Sequence, residues 1–191
     1  MARSKEFDEK EALRRAMELF WQQGYEKTSM QDLVNHMGVH RRSIYDTFGD
    51  KHTLFMKALE RYDEIVETQI DTQVKQLGSV KKAIRRLFEM VIDTNEKQQI
   101  GCLTVNTAVE LSLHDEEAAE KVVESFTKAE SLLYELLLRG QKSGEVSEHH
   151  AAERLSQFIH NSLVGLRVLA KTTDDKQKLE NIIDITLSVL D

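Results

Sequence analysis

The 191-residue sequence predicts an all-α fold in which a small N-terminal head precedes a larger helical body. Apolar residues recur with the i, i+3, i+4, i+7 spacing of amphipathic helices along most of the chain. The chain has no proline, and its eight glycines fall mostly between the periodic segments, where helices end. We therefore expect about nine helices, three of them in the head (residues 1–50) and the others in the body (residues 51–191).

The first two helices of the head are predicted from their apolar stripes and their ends. Residues 7–23 form the first helix, which ends at Gly24. The second helix begins at Thr28 or Ser29, both of which are good N-caps, and it ends at Gly38. The apolar positions that face inward are Leu13, Ala16, Met17, Phe20, Met30, Leu33, Val34 and Met37.

The third helix, residues 40–47, is predicted to be the recognition helix of a helix-turn-helix motif. Arg41 and Arg42 lie in its first turn, where the positive end of the helix dipole favours carboxylates. A polyanionic partner explains this placement, so we assign both arginines to guanine edges and other polar residues to phosphates. The candidate DNA-binding residues are Thr28, Ser29, His40, Arg41, Arg42, Ser43, Tyr45 and Lys51.

Several residues of the head occur together at a familiar spacing, namely Gly24-Tyr25, Thr28-Ser29, Asp32-Leu33, Gly38-Val39, Ile44-Tyr45, Phe48 and Lys51. Over about the first 60 residues this set resembles the N-terminal domain of the TetR family of bacterial transcriptional regulators. The resemblance implies a ligand-released repressor that binds a palindromic DNA operator as a homodimer. Two positions depart from the family pattern, since Arg42 stands where a small residue is common and Thr47 where His or Tyr often occurs.

The body is predicted to begin with a long connecting helix, residues 51–75, which is capped by Asp50. This helix would join the head to the rest of the chain. We expect Gly140 and Gly144 to end the long fourth helix of the body, and Ser147 to cap the next one. The other predicted helices span residues 80–96, 102–113, 115–139, 149–171 and 174–190.

A pocket for a small-molecule effector is predicted among the first four helices of the body. Asn106 and Glu110 lie one turn apart on an otherwise apolar helix, as polar anchors in an apolar ligand pocket would. The alternative is that they make a structural hydrogen bond or lie on an exposed face. The candidate ligand-binding residues are Phe88, Val91, Leu103, Asn106, Glu110 and Phe126.

The last two helices are more apolar than one buried face requires, which indicates burial on two sides. We predict that the second side is another subunit, through a four-helix bundle of residues 148–170 and 174–190. An ordinary core helix is the alternative. The candidate dimer residues are Phe158, Ser162, Gly165, Leu166, Leu169, Ile182, Ile185 and Leu190.

Composition excludes several other classes of protein. The net charge is −7, but residues 1–61 contain 11 Lys and Arg against 10 Asp and Glu, so the acidic excess lies outside the head. The charged N-terminus lacks the apolar core of a signal peptide, and no apolar run is long enough to span a membrane. No catalytic, cofactor or metal-binding motif is apparent. We expect a cytoplasmic, non-enzymatic protein without cofactor, metal or membrane partner.

Three alternative functions remain open from the sequence, and one of them is an activator in place of a repressor. A helical small-molecule-binding protein could use the head for protein contacts, although this leaves the two arginines unexplained. Alternatively, Cys102 follows Gly101 at a predicted helix start, where the dipole would raise the thiolate fraction and suit a thiol-based sensor of oxidants or electrophiles. Two observations argue against a thiol-based sensor. A lone cysteine is commonly a small buried hydrophobic residue. The chain also has no second cysteine that could form a disulfide with Cys102.

Overall fold

The computed structural model describes residues 7–97 and 100–191. In this part of the chain there is no strand, and the predicted all-helical fold with nine α-helices is confirmed. The N-terminal charges of Arg3, Lys5 and Glu6, on which the expectation about a signal peptide partly depends, lie outside the described residues. The helices are α1 (Glu9–Gln23), α2 (Met30–Met37), α3 (Arg41–Phe48), α4 (Lys51–Gln73), α5 (Val80–Lys97), α6 (Leu103–Leu111), α7 (Glu116–Lys142), α8 (Ala152–Leu169) and α9 (Lys176–Leu187), followed by a 3₁₀ turn (Ser188–Leu190).

Two predicted helix ends in the body are wrong. Helix α7 continues through Gly140, which is buried because Val146 and Val80 approach it closely; a Cβ there would lie 2.6 Å from a Val146 methyl carbon. The glycine therefore permits close packing inside a helix and does not end it. Ser147 does not cap α8 either, because the residue at the N-cap is Ala151, which makes no side-chain capping bond.

The head is built as its local sequence predicts. Ser29 is the N-cap of α2 and forms a reciprocal capping box with Asp32. Gly38 ends α2 in the left-handed conformation with φ of 68°, which residues with a Cβ adopt at a cost. These two ends fix the short connection between α2 and α3, and Ile44 and Phe48 anchor α3 in the core.

The buried side chains form two clusters that do not follow the predicted boundary at residue 50. The first contains the core of the head, the first half of α4, and residues of α6 such as Leu103, Val105 and Leu111. The second cluster contains the buried faces of α5, α8 and α9 and the C-terminal half of α7. Helix α6 therefore packs with the head. Among the described residues, no helix is both long and apolar enough to cross a bilayer.

Candidate nucleic-acid interface and internal cavity

Helix α3 presents a polar, mainly cationic face to solvent. Its apolar side chains are buried against α1, α2 and α4, and its first turn contains no acidic residue. His40, at the N-cap, makes no side-chain capping bond. The opening turn of the helix thus keeps its unpaired N–H groups and its arginines exposed together, which is the arrangement an anion favours. The exposed residues on and before α3 are His40, Arg41, Arg42, Tyr45 and Asp46.

The two guanidinium groups are available to a partner. Arg41 makes no hydrogen bond or ion pair with any described residue. Arg42 lies 3.6 Å from Asp46, but the two side chains are 92% and 69% exposed, so the pair is weak. The sequence prediction missed Asp46, although its position four residues after Arg42 on the same helix face indicated the contact.

The predicted phosphate-binding residues differ in accessibility. Ser29 is exposed and Ser43 is partly buried. Thr28 is fully buried and its hydroxyl donates to the carbonyl of Gly24 at 2.6 Å, so its side chain is unavailable to a phosphate. Lys51 begins α4, with its Nζ 4.1 Å from the centre of the Tyr25 ring.

Helix α6 is attached to the head at both of its ends. The Glu110 carboxylate accepts hydrogen bonds from the backbone N–H groups of Tyr25 and Glu26, at 3.0 and 2.8 Å. Before the first turn of α6, the indole N–H of Trp21 donates to the carbonyl of Gly101 at 3.1 Å. Movement of α6 would therefore be transmitted directly to the loop that precedes α2. Glu110 makes the structural hydrogen bonds that the sequence left open as an alternative to ligand binding.

A cavity of about 270 Å³, partly open to solvent, lies where α4, α7 and α8 meet the start of α6. Of the six predicted ligand-binding residues, only Phe126 lines it. Phe88 and Leu103 are buried in the two cores, and Val91 packs against the second core. The Asn106 amide donates to the carbonyl of Ile100 and accepts from Lys171, outside the cavity. The lining residues that sequence analysis missed include Tyr62, Asp63, Cys102, Thr104, Leu132, Leu163 and Arg167.

The cavity wall combines apolar side chains with a few buried polar groups. Burial raises the pKa of the Tyr62 hydroxyl well above its usual range. Burial also raises the pKa of Asp63, although its carboxylate accepts a hydrogen bond from the Ser125 hydroxyl at 2.7 Å. A mainly apolar wall with few polar groups is typical of a small-molecule site. Nothing in residues 7–97 and 100–191 groups three or more His, Cys, Asp or Glu side chains as a metal site would.

The outer face of α8 and α9 exposes large apolar side chains. Phe158, Val168 and Ile185 are 46%, 46% and 74% exposed, and a Cβ at Gly165 would meet nothing within 4 Å. Two of the predicted dimer residues lie elsewhere, because Leu166 and Leu190 are buried in the core of their own subunit. The predicted residues of intermediate burial are Ser162, Leu169 and Ile182.

Two family models together match most of the chain. Residues 7–58 match the model for bacterial regulatory proteins of the tetR family, and residues 80–186 match the tetracyclin repressor-like C-terminal domain. The first match contains the whole exposed face of α3, and the second contains α6, α7 and α8.

Individual proteins are similar over most or all of their length. The HTH-type transcriptional regulator YezE of Bacillus subtilis (strain 168) is 37% identical, with both chains fully covered. The HTH-type transcriptional repressor ComR of Escherichia coli (strain K12) is 30% identical over 97% of this chain and 90% of its own. Among solved structures, a cysteine mutant of the TetR family regulator CifR, in complex with 26-base-pair operator DNA, has a TM-score of 0.89 and 26% identity over all of both chains.

Proposed function

The chain belongs to the TetR family of bacterial transcriptional regulators, and from this premise we propose that it represses transcription as a homodimer on a palindromic operator. It is a DNA-binding regulator of the helix-turn-helix type. A small molecule that occupies the internal cavity releases the operator. The protein acts in the cytoplasm, where its operator lies, and it has no enzymatic activity of its own.

One observation carries the DNA-binding part of this proposal. Arg41 and Arg42 are exposed in the first turn of α3, without an acidic residue in that turn. In the free protein this placement is unfavourable, because the helix dipole repels cations there. With α3 in a major groove, the same groups meet guanine edges and phosphates. We assign Arg41 and Arg42 to bases, and Ser29, Ser43, Tyr45 and Lys51 to phosphates and groove walls.

The apolar face of α8 and α9 supports the homodimer. Two copies joined through this face would form a four-helix bundle with two-fold symmetry. Their two α3 helices would then read half-sites separated by about 34–36 Å, one turn of DNA. We propose the helical face that contains Phe158, Gly165, Val168 and Ile185 as the centre of this interface.

Release follows from the elements that meet at the cavity. Helix α4 contributes to its wall and leads directly to α3. Helix α6 contributes Thr104, its N-cap residue Cys102 also lines the wall, and the helix holds the head through Glu110. A ligand that fits only when these helices have shifted would change the separation of the two recognition helices. The extent to which the ligand releases DNA depends on how much more tightly it binds the shifted state than the DNA-binding state.

Selection of bound sequences from random DNA duplexes tests the proposal. We expect a palindromic site whose affinity falls steeply with salt concentration, because bound phosphates release counterions. Arg42→Ala should reduce discrimination at one base pair by about 1–3 kcal/mol, while Lys51→Ala should weaken binding to all sequences alike. A uniform loss for Arg42→Ala would refute its assignment to a base. If the protein binds no duplex at low salt, the head serves protein contacts instead, as in a helical small-molecule-binding protein.

The position of Cys102 favours a second way of releasing the operator. Its thiol is in the wall of the cavity and is 5% exposed, so an electrophile that enters the cavity reaches it. Alkylation would add a permanent group where the effector binds. Treatment with N-ethylmaleimide should release operator DNA from the native protein but not from Cys102→Ser. Equal release from both proteins would exclude this thiol as the sensor.

A further inference from the structure

The acidic groups around the cavity already have partners within the protein. Glu67 lies 3.4 Å from Lys128, and Asp71 lies 2.7 Å from Lys75. Asp63 accepts a hydrogen bond from Ser125, and all three of these contacts join residues that line the cavity. The carboxylates of α4 are therefore occupied by groups of the protein itself, and none of them requires a cationic ligand.

Two side chains that line the same cavity can donate hydrogen bonds to a ligand. Arg167, on α8, makes no hydrogen bond or ion pair with any residue in the described ranges. Thr104, on α6, is only 6% exposed, and its hydroxyl likewise has no hydrogen bond within the described chain. Arg167 is only partly buried, so an acceptor that enters the cavity can reach its guanidinium, and the Thr104 hydroxyl is a second donor in the same wall.

We propose that the effector is a small monocarboxylate with an apolar body. Its carboxylate binds the Arg167 guanidinium and the Thr104 hydroxyl, and its apolar part lies against Phe126, Leu132 and Leu163. The inference rests on the proposed release of DNA by a ligand in this cavity. Arginine suits this role because its planar fork of donors matches a carboxylate.

Among the described lining residues, Arg167 is the cation that has no ion pair, and its single charge sets the charge of the ligand. One guanidinium neutralises one negative charge, so a phosphate dianion or a dicarboxylate would bring an uncompensated charge into a mainly apolar cavity. The nearby carboxylates Asp63 and Glu67 would repel that second charge. A cationic ligand would instead place two positive groups together at Arg167.

The volume of the cavity sets the size of the ligand. About 270 Å³ is slightly below the range of roughly 300–1,000 Å³ that is typical of ligand pockets. A compact molecule, such as a phenyl-substituted or short-chain carboxylic acid, fits that space better than a long-chain fatty acid does. The apolar lining favours a body without further polar groups.

Direct binding to the full-length protein, measured by calorimetry without DNA, tests this inference. The probes are 3-phenylpropionate, hexanoate and octanoate, each compared with its primary amide and its primary amine. We expect at least one carboxylate to bind more tightly than its own amide by roughly 10- to 100-fold, the effect of a hydrogen-bonded charge, and the amines not to bind. The proposal is overturned if no carboxylate binds or if an amide or amine binds as tightly.

Variants of Arg167 identify the group that binds the probe. Arg167→Gln should remove the preference for the carboxylate over its amide, and Arg167→Lys should restore part of it. Arg154→Gln removes the same charge from the exposed side of α8 and should leave the preference unchanged. If Arg167→Gln keeps the full preference while its thermal stability is native, Arg167 is not the carboxylate site. Operator binding without ligand is measured separately, so loss of DNA binding would refute the proposed function and not this one.

Discussion

The outer faces of α3 and of α8 with α9 both leave large side chains exposed, but their chemistry is opposite. On α3 the exposed groups are Arg41, Arg42, Tyr45 and the carboxylate of Asp46, whereas α8 and α9 expose Phe158, Val168 and Ile185. Exposed charges are well solvated in the free protein, so α3 needs no permanent partner. An apolar face gains free energy whenever it is covered. The difference supports our proposal that α3 binds a partner reversibly and that the α8–α9 face remains covered by a second subunit.

The largest expected effect comes from breaking the apolar face. Ile185→Arg would place an unpaired charge in the dimer interface, which costs roughly 3–5 kcal/mol. We therefore expect the dissociation constant of the dimer to rise more than 100-fold, as measured by analytical ultracentrifugation. Operator affinity should fall with it, because a monomer contacts only one half-site.

A matched substitution on another helix distinguishes an effect on the dimer interface from a general effect of an added charge on solubility. Val109 is 81% exposed, slightly more than Ile185, and it is on α6 and not on α8 or α9. Val109→Arg should leave both the dimer and operator binding unchanged. If Ile185→Arg remains a dimer of native affinity, the subunits join through another surface. The proposal that a second subunit covers the α8–α9 face would then be wrong.

A smaller effect is expected where α6 holds the head. Glu110→Ala removes the acceptor of two backbone hydrogen bonds in the loop before α2. Hydrogen bonds to a charged group contribute about 1.5–3 kcal/mol each when buried, and this site is partly exposed. We expect the free energy of unfolding to decrease by about 2 kcal/mol in urea denaturation.

The same variant tests the transmission of ligand binding to the head. Glu110→Ala should bind a ligand in the cavity as the native protein does, yet release the operator less completely. Glu120→Ala, an exposed position on α7, is the control and should change neither stability nor release. Equal stabilities of the Glu110 and Glu120 variants would mean that α6 does not hold the head through this carboxylate.

The sequence predicted the helical fold and the exposure of the α3 arginines better than it predicted the interior. The fold and the exposed arginines of α3 depend on local periodicity, capping and charge, which short stretches of sequence specify. The partners of Glu110 lie about 85 residues away in the chain, and no local pattern could reveal them. The cavity was misplaced for the same reason. Thr104 and Arg167 come from different helices and are brought into the wall of one cavity only in the folded chain.

The smallest expected effect concerns Asp46, the one acidic group on the exposed face of α3. Asp46→Asn removes its weak pair with Arg42 and its repulsion of phosphates, so binding to every duplex should strengthen by about 0.2–1 kcal/mol at low salt. Glu120→Gln removes the same charge from the body and should have no effect, as measured by fluorescence anisotropy. If Asp46→Asn instead weakens binding only to duplexes with cytosine at one position, Asp46 accepts a hydrogen bond from that base. The face of α3 would then contact bases through its arginines and through the Asp46 carboxylate. The property that distinguishes it from the apolar face would be its capacity to form hydrogen bonds, and not its positive charge.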